Sequence, residues 1–246
     1  MSFLSALLYL AAAVFLGGMA WRLLKWKRAS VPLKIVLTPA PTTATGVARR
    51  LAGEIIGFRS LFTANRLFWI PAWLFHVLLL LLLVGHVAGL IVAKQAESIL
   101  GLTEPQFERF AQLGGATVGA LAFAAVLALL IWRFASERSS YISTLSDYFG
   151  LCLLAVVIAT GNQMRLMNQL DIIQARAFVH GWFAFHPVPP PNDPVFAAHV
   201  LLVSALLIFI PFSKLVHIGG AALFNPALNQ LNNARDRRHL HEHAAH

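Results

Sequence analysis

An all-α membrane protein is the fold class this sequence predicts: a bundle of five transmembrane helices, N-terminus outside and C-terminus cytoplasmic. Three observations predict it. Five apolar stretches each approach the length of about 20 residues needed to cross a bilayer. Hydrophobic residues make up 58% of the 246 and charged residues 12%, against about 25% charged in a soluble domain. The Lys and Arg residues collect in alternate connections between the apolar stretches rather than on one face, which is a topology signal.

The spans fall at about 3–24, 69–93, 110–134, 147–165 and 194–218, all within one domain over 1–246. The first has its positive charges (Arg22, Lys25, Lys27 and Arg28) after the apolar run. A cleaved signal peptide has the reverse order, so a retained first helix is expected. The connection over 22–66 holds nine Lys or Arg. The one after the third span adds Arg133 and Arg138, and the chain's end adds Lys214, Arg235, Arg237 and Arg238. That gives fifteen on one side against four on the other, where Lys94, Arg109, Arg165 and Arg176 lie. The positive-inside rule puts the fifteen in the cytoplasm. The net charge of +9 therefore reports topology and not a nucleic-acid-binding face.

The first connection, taken over 22–68, contains an extended proline-rich piece, Leu37-Thr38-Pro39-Ala40-Pro41. It is followed over 46–62 by an amphipathic helix with Val47, Leu51, Ile55, Phe58 and Phe62 on or near one face. A basic helix of this kind either lies on anionic lipid or docks a soluble subunit. The prolines over 186–194 forbid regular helix there. Residues 219–246 form a cytoplasmic, His-rich tail, expected to be disordered. The single cysteine, Cys152, permits no internal disulfide and no cysteine-ligated cluster. It is expected to be a small buried apolar residue.

Histidines carry the functional reading. His76 and His86 lie in the second span, and His199 and His217 in the fifth. Ionisable residues inside spans face the bundle interior and have a purpose. His76 and His86 are separated by about 15 Å of helical rise; a continuous helix would put His199 and His217 about 27 Å apart on one face. The two spans run in opposite directions. His76 therefore meets His217 near the cytoplasm, and His86 meets His199 near the outside. Each pair suits the two faces of one porphyrin, giving two haem b groups with irons about 21 Å apart along the membrane normal. No C-x-x-C-H is present, so such haems are held by ligation alone. His180 and His186 are expected at the surface. The competing reading is a haem-free transporter or structural anchor that uses its histidines for protons or a metal ion. It leaves the four-histidine spacing without a reason, and no internal repeat supports it.

The pattern resembles the gamma subunit of respiratory nitrate reductase and its relatives. The matching features are His-x9-His in the second span, His-x17-His in the fifth, and the closing run from Phe209 to His217. Softer motifs are most similar to the M subunit type of the sulfite-reductase-associated membrane complex. They are Ile35 to Pro41, Phe58 to Arg66, Ser146-Asp147-Tyr148-Phe149 and Phe185-His186-Pro187-Val188. The resemblance implies a quinone-reacting subunit of an oxidoreductase complex in a bacterial cytoplasmic membrane, in sulfur- or sulfite-linked electron transport. Implied partners are a cytoplasmic iron–sulfur subunit related to heterodisulfide reductase, a periplasmic c-type cytochrome and further membrane subunits. Lys94, Gln163 and Arg165, with Asn162, are the polar groups at the outer ends of spans nominated for the quinone.

Overall fold

The computed structural model describes residues 1–29, 40–167, 170–217 and 220. Within them, five helices are long and apolar enough to cross a membrane. They are α1 (Phe3–Arg28), α4 (Arg66–His86, continued by a π-turn over Val87–Ile91), α6 (Glu104–Ala135), α8 (Leu145–Leu166) and α10 (Pro194–Phe209). Shorter helices join them: α2 (Ala44–Gly57) and α3 (Arg59–Ala64) after the first, α5 (Ala93–Leu100) after the second, α7 (Glu137–Tyr141) after the third and α9 (Ile172–Phe183) after the fourth.

Each span starts where its sequence can satisfy the free amides of a first turn. Ser2 caps α1 and Asn65 caps α4. Thr103 with Gln106, and Thr144 with Asp147, form reciprocal capping boxes on α6 and α8. Asp193 accepts from two amides of α10, whose first residue, Pro194, has no amide to satisfy.

The spans pack in the order α1, α10, α8, α6, α4. Ala72, Phe75 and Leu78 of α4 close on Ala122, Ala125, Val126 and Leu129 of α6, which close on Leu154, Ala155 and Ile158 of α8. At the other end of the row, Phe196 and Val200 of α10 meet Ala175 and Phe178 of α9, with Leu4 and Leu8 of α1 against them. Close approach depends on small residues. A side chain at Gly119 would run into Asn162, and one at Gly18 would meet Pro211 at 2.7 Å. Within this row α4 and α10 are not closely packed on one another. They flank a gap.

Three expectations need correction. The fifth span is not one continuous helix to residue 218. Pro211 has no amide proton and its ring conflicts with the carbonyl four residues back, so α10 stops at Phe209. The chain then makes two short 3-10 turns, Ile210–Phe212 and Lys214–Val216, before His217. The five-turn spacing from His199 to His217 is therefore lost. The surface helix over 46–62 is broken at Phe58, whose φ of 49° separates α2 from α3. Residues 186–193 hold no helix, in keeping with their prolines, and a helix, α9, precedes them because Ala175, Phe178 and Gly181 bury one face of it. Cys152 is exposed on the side of α8, beside Tyr148 and Phe149. An apolar span surrounded by lipid need not turn its small residues inward. His180 and His186 are exposed, as expected. Most of the proline-rich piece from Leu37, and nearly all of the tail over 219–246, lie outside the described residues.

Candidate functional site

The gap between α4 and α10 contains the four span histidines in two facing pairs. The rings of His76 and His217 have centres 5.8 Å apart and planes crossed at 81°. Those of His86 and His199 are 6.5 Å apart with nearly parallel planes, at 7°. The pairing expected from helix direction is thus the pairing found, although His217 reaches its partner from a 3-10 turn.

Each ring is aimed by its Nδ1. His76 Nδ1 lies 2.7 Å from the Ala72 carbonyl and His86 Nδ1 lies 2.7 Å from the Leu82 carbonyl. His217 Nδ1 lies 3.0 Å from the Lys214 carbonyl. A carbonyl only accepts, so in each case Nδ1 holds the proton and the neutral ring keeps its Nε2 lone pair free. His199 is aimed by a side chain instead. The Thr160 hydroxyl donates to the carbonyls of its own helix, which leaves its oxygen to accept from His199 Nδ1 at 2.8 Å.

This donor set fits a porphyrin-bound metal. A metal–imidazole bond of about 2 Å on each side of one metal sets the two ring centres about 6 Å apart. Among the described residues, no group of three or more His, Cys, Asp or Glu converges to hold an ion. Two imidazoles alone leave most of a metal's coordination positions open. They suit a metal whose remaining positions are filled by a macrocycle, and the gap between α4 and α10 is where a flat group can stand.

Each pair has its own support. Near His217, Asp147 is almost fully buried, with 5% of its side chain exposed. It accepts from Lys214 Nζ at 2.7 Å, lies 3.7 Å from Arg133 and accepts from Thr144 N at 2.8 Å. The turn that carries His217 is thereby tied to α6 and α8. Beyond His86, the π-turn leaves the Gly89 carbonyl to accept from Arg176 Nε of α9 at 2.8 Å, while Arg176 pairs with Glu108 of α6 at 3.3 Å.

The polar residues nominated for a quinone are not gathered into one site. Lys94 is exposed on α5 and Gln163 is exposed on α8. Arg165 is half-buried against Gly115, and Asn162 lies against Gly119, both between α6 and α8. All three α8 residues fall within about one and a half turns of Thr160, at the His86–His199 end. Sequence reasoning missed Thr160, Arg176 and Glu108. Asp147 and Phe58 entered it only as parts of motifs.

Five spans with two facing imidazole pairs define the chain as a multi-pass membrane protein of the cytochrome b-like class. Residues 55–226 match the family described as nitrate reductase gamma subunit, and the chain belongs to that family. It is 30% identical to the Hdr-like menaquinol oxidoreductase cytochrome b-like subunit of Archaeoglobus fulgidus, over 94% of this chain and 80% of that protein. The subunit of the same description from Archaeoglobus profundus is 28% identical over 96% of this chain and 80% of its own length. The nitrate reductase gamma chain of Bacillus subtilis is 28% identical over 59% of this chain and 69% of its own length.

Proposed function

We propose that the chain is a dihaem cytochrome b subunit that exchanges electrons between the quinone pool and a cytoplasmic iron–sulfur partner. The observation that carries this is the pair of imidazole pairs, at 5.8 and 6.5 Å, facing one another between α4 and the segment from α10 to His217, which are not otherwise closely packed. His76 and His217 hold one haem b and His86 and His199 the other. Haem b, when bound, supplies reversible one-electron transfer. With two histidines committed to each haem, neither site would have room for oxygen or substrate, so the chain would conduct electrons.

The charge bias of fifteen basic residues against four supports a cytoplasmic location for the His76–His217 end. A quinone then meets the outer end, where Lys94, Gln163 and Arg165 are the groups available to hydrogen-bond its oxygens. Cys152 is the sole cysteine, so an iron–sulfur cluster comes from another subunit. The description of the Archaeoglobus relatives supports menaquinol as donor and a partner of heterodisulfide reductase type. The Phe58–Arg66 and Phe185–Val188 motifs support a sulfur- or sulfite-linked complex in a bacterial cytoplasmic membrane, with a periplasmic c-type cytochrome among its members.

The test is a reduced-minus-oxidised spectrum of the purified protein with haem quantified per chain, followed by reduction with a menaquinol analogue. About two b haems per chain, reducible by quinol, are expected. Lys94→Ala and Gln163→Ala are expected to slow that reduction with haem content unchanged; normal kinetics in both removes them from the quinone site. A well-folded protein that takes up no haem overturns the proposal in favour of a transporter or anchor.

A second expectation concerns Thr160. Thr160→Val keeps the shape and removes the acceptor for His199. Partners of a metal-ligating histidine are typically worth about 10–100-fold in metal affinity. Titration of haem into the apoprotein should show a loss of that order at one site and none at the other; equal affinity at both sites would show that Thr160 has no such role.

A further inference from the structure

Phe58 stands where a bulky side chain is least expected. Its backbone is left-handed, at φ 49° and ψ 46°, a region that suits glycine and is an outlier for an aromatic residue. The break is held from several directions. The last carbonyls of a helix have no partner within it, and those of α2 are taken by α4. Trp69 Nε1 donates to the Gly57 carbonyl at 2.8 Å and Trp73 Nε1 donates to the Ile56 carbonyl at 2.7 Å. Glu54 accepts from the amide and the hydroxyl of Ser60, at 3.0 and 2.7 Å, across the same break. Trp69, Trp73 and His76 follow one another at helical spacing on one side of α4. The clamp that fixes the break therefore also places the Phe58 ring on His76.

The contact is specific in direction. The ring centres of Phe58 and His76 are 5.0 Å apart with planes at 83°. Phe75 approaches the same imidazole at 5.5 Å and 82°. His76 is thus set between two aromatic rings, and its plane crosses that of His217 at 81°. The other pair differs on both counts. Among the described residues, the only ring stacked near His86 is that of His199, and the two planes are parallel within 7°.

We propose that Phe58 is a positioning residue that fixes the plane of the His76 ring and keeps it crossed against His217. This rests on the dihaem reading above and goes beyond it, because it assigns the two haems different electronic structures. Crossed axial imidazoles leave two d orbitals of a low-spin ferric haem nearly equal in energy and give a strongly anisotropic EPR signal. Coplanar imidazoles separate those orbitals and give a less anisotropic one. The left-handed break is the part of the surface helices that transmits this constraint to the ligand.

The experiment is EPR of the oxidised holoprotein together with a potentiometric titration, on the wild type, Phe58→Gly and Phe58→Tyr. Glycine adopts the left-handed conformation freely, so Phe58→Gly keeps the break and removes the ring. The wild type should show two low-spin signals of unequal anisotropy. In Phe58→Gly the more anisotropic signal should move toward the other and its haem should shift in potential, with the second haem unchanged and haem content maintained. Phe58→Tyr should restore both. Two unaltered signals in Phe58→Gly overturn the proposal, as does an equal change in both. If Phe58→Gly loses one haem, Phe58→Leu decides: a retained haem with an altered signal supports the proposal, and a wild-type signal or a second loss overturns it. A wild-type protein without two b haems overturns the dihaem reading itself, and this proposal with it.

Discussion

His199→Ala is expected to lower the haem content from about two b haems per chain to about one. Two facts make the effect large. The His199 ring is the one opposite His86, at 6.5 Å, and it is held by Thr160 from a neighbouring span. Alanine removes the ligand and leaves His86, which is exposed on the gap, to hold a haem from one side. The fold itself should survive, because His199 is not part of either cluster of buried apolar side chains. The haem that remains should be the one held by the crossed rings of His76 and His217. Pyridine haemochrome quantification and the EPR of the oxidised protein check both halves of this expectation. Retention of both haems in His199→Ala would break the assignment of ligands to the second pair.

Asp147→Ala is expected to cost the other haem while leaving the His86–His199 site intact. Asp147 does three jobs from one buried carboxylate. It caps α8 through Thr144, it accepts from Lys214, and it lies beside Arg133. Loss of a helix cap typically costs about 1 kcal/mol, which a bundle of this size tolerates. The larger consequence is local. Lys214 opens the 3-10 turn that ends at Val216, just before His217, and its carbonyl accepts from His217 Nδ1 at 3.0 Å. Without Asp147, the lysine has no anchor and the turn loses its register with His76. Haem content near one per chain, with the more anisotropic ferric signal missing, is the expected result. Lys214 is largely exposed, so the ion pair alone contributes little, and Lys214→Met should have a smaller effect than Asp147→Ala. Equal haem content in Asp147→Ala and the wild type would show that the turn is held by packing alone.

Much of this architecture was legible in the sequence because lipid makes its demands plainly. A span must be apolar for its whole length, and a histidine inside one stands out. The positions of α1, α4, α6 and α8, and the partner of each histidine, followed from those two constraints. What was not legible depends on local chemistry that periodicity does not report. The end of α10 depends on Pro211, a residue that membrane helices tolerate in other settings. Thr160 is a hydroxyl in an apolar run, and nothing in its neighbours marks it as the hydrogen-bond partner of a histidine 39 residues away. The break at Phe58 has no glycine to signal it. It exists because two tryptophans one turn apart take the carbonyls of α2. The exposure of Cys152 was misjudged because an apolar neighbourhood in the sequence was taken to mean an interior position.

The packing order has a consequence for how the protein is made. Translation delivers α1 well before α10, yet the two pack on one another. α1 cannot find this neighbour until α10 has been made, a closure across three intervening spans that is slow for that reason. The same late helix carries His199 and leads to His217, one member of each pair. Neither site is complete on a nascent chain. On the dihaem reading, porphyrin that arrives before α10 has been made would meet only His76 and His86, so loading is expected after α10 has entered the bilayer.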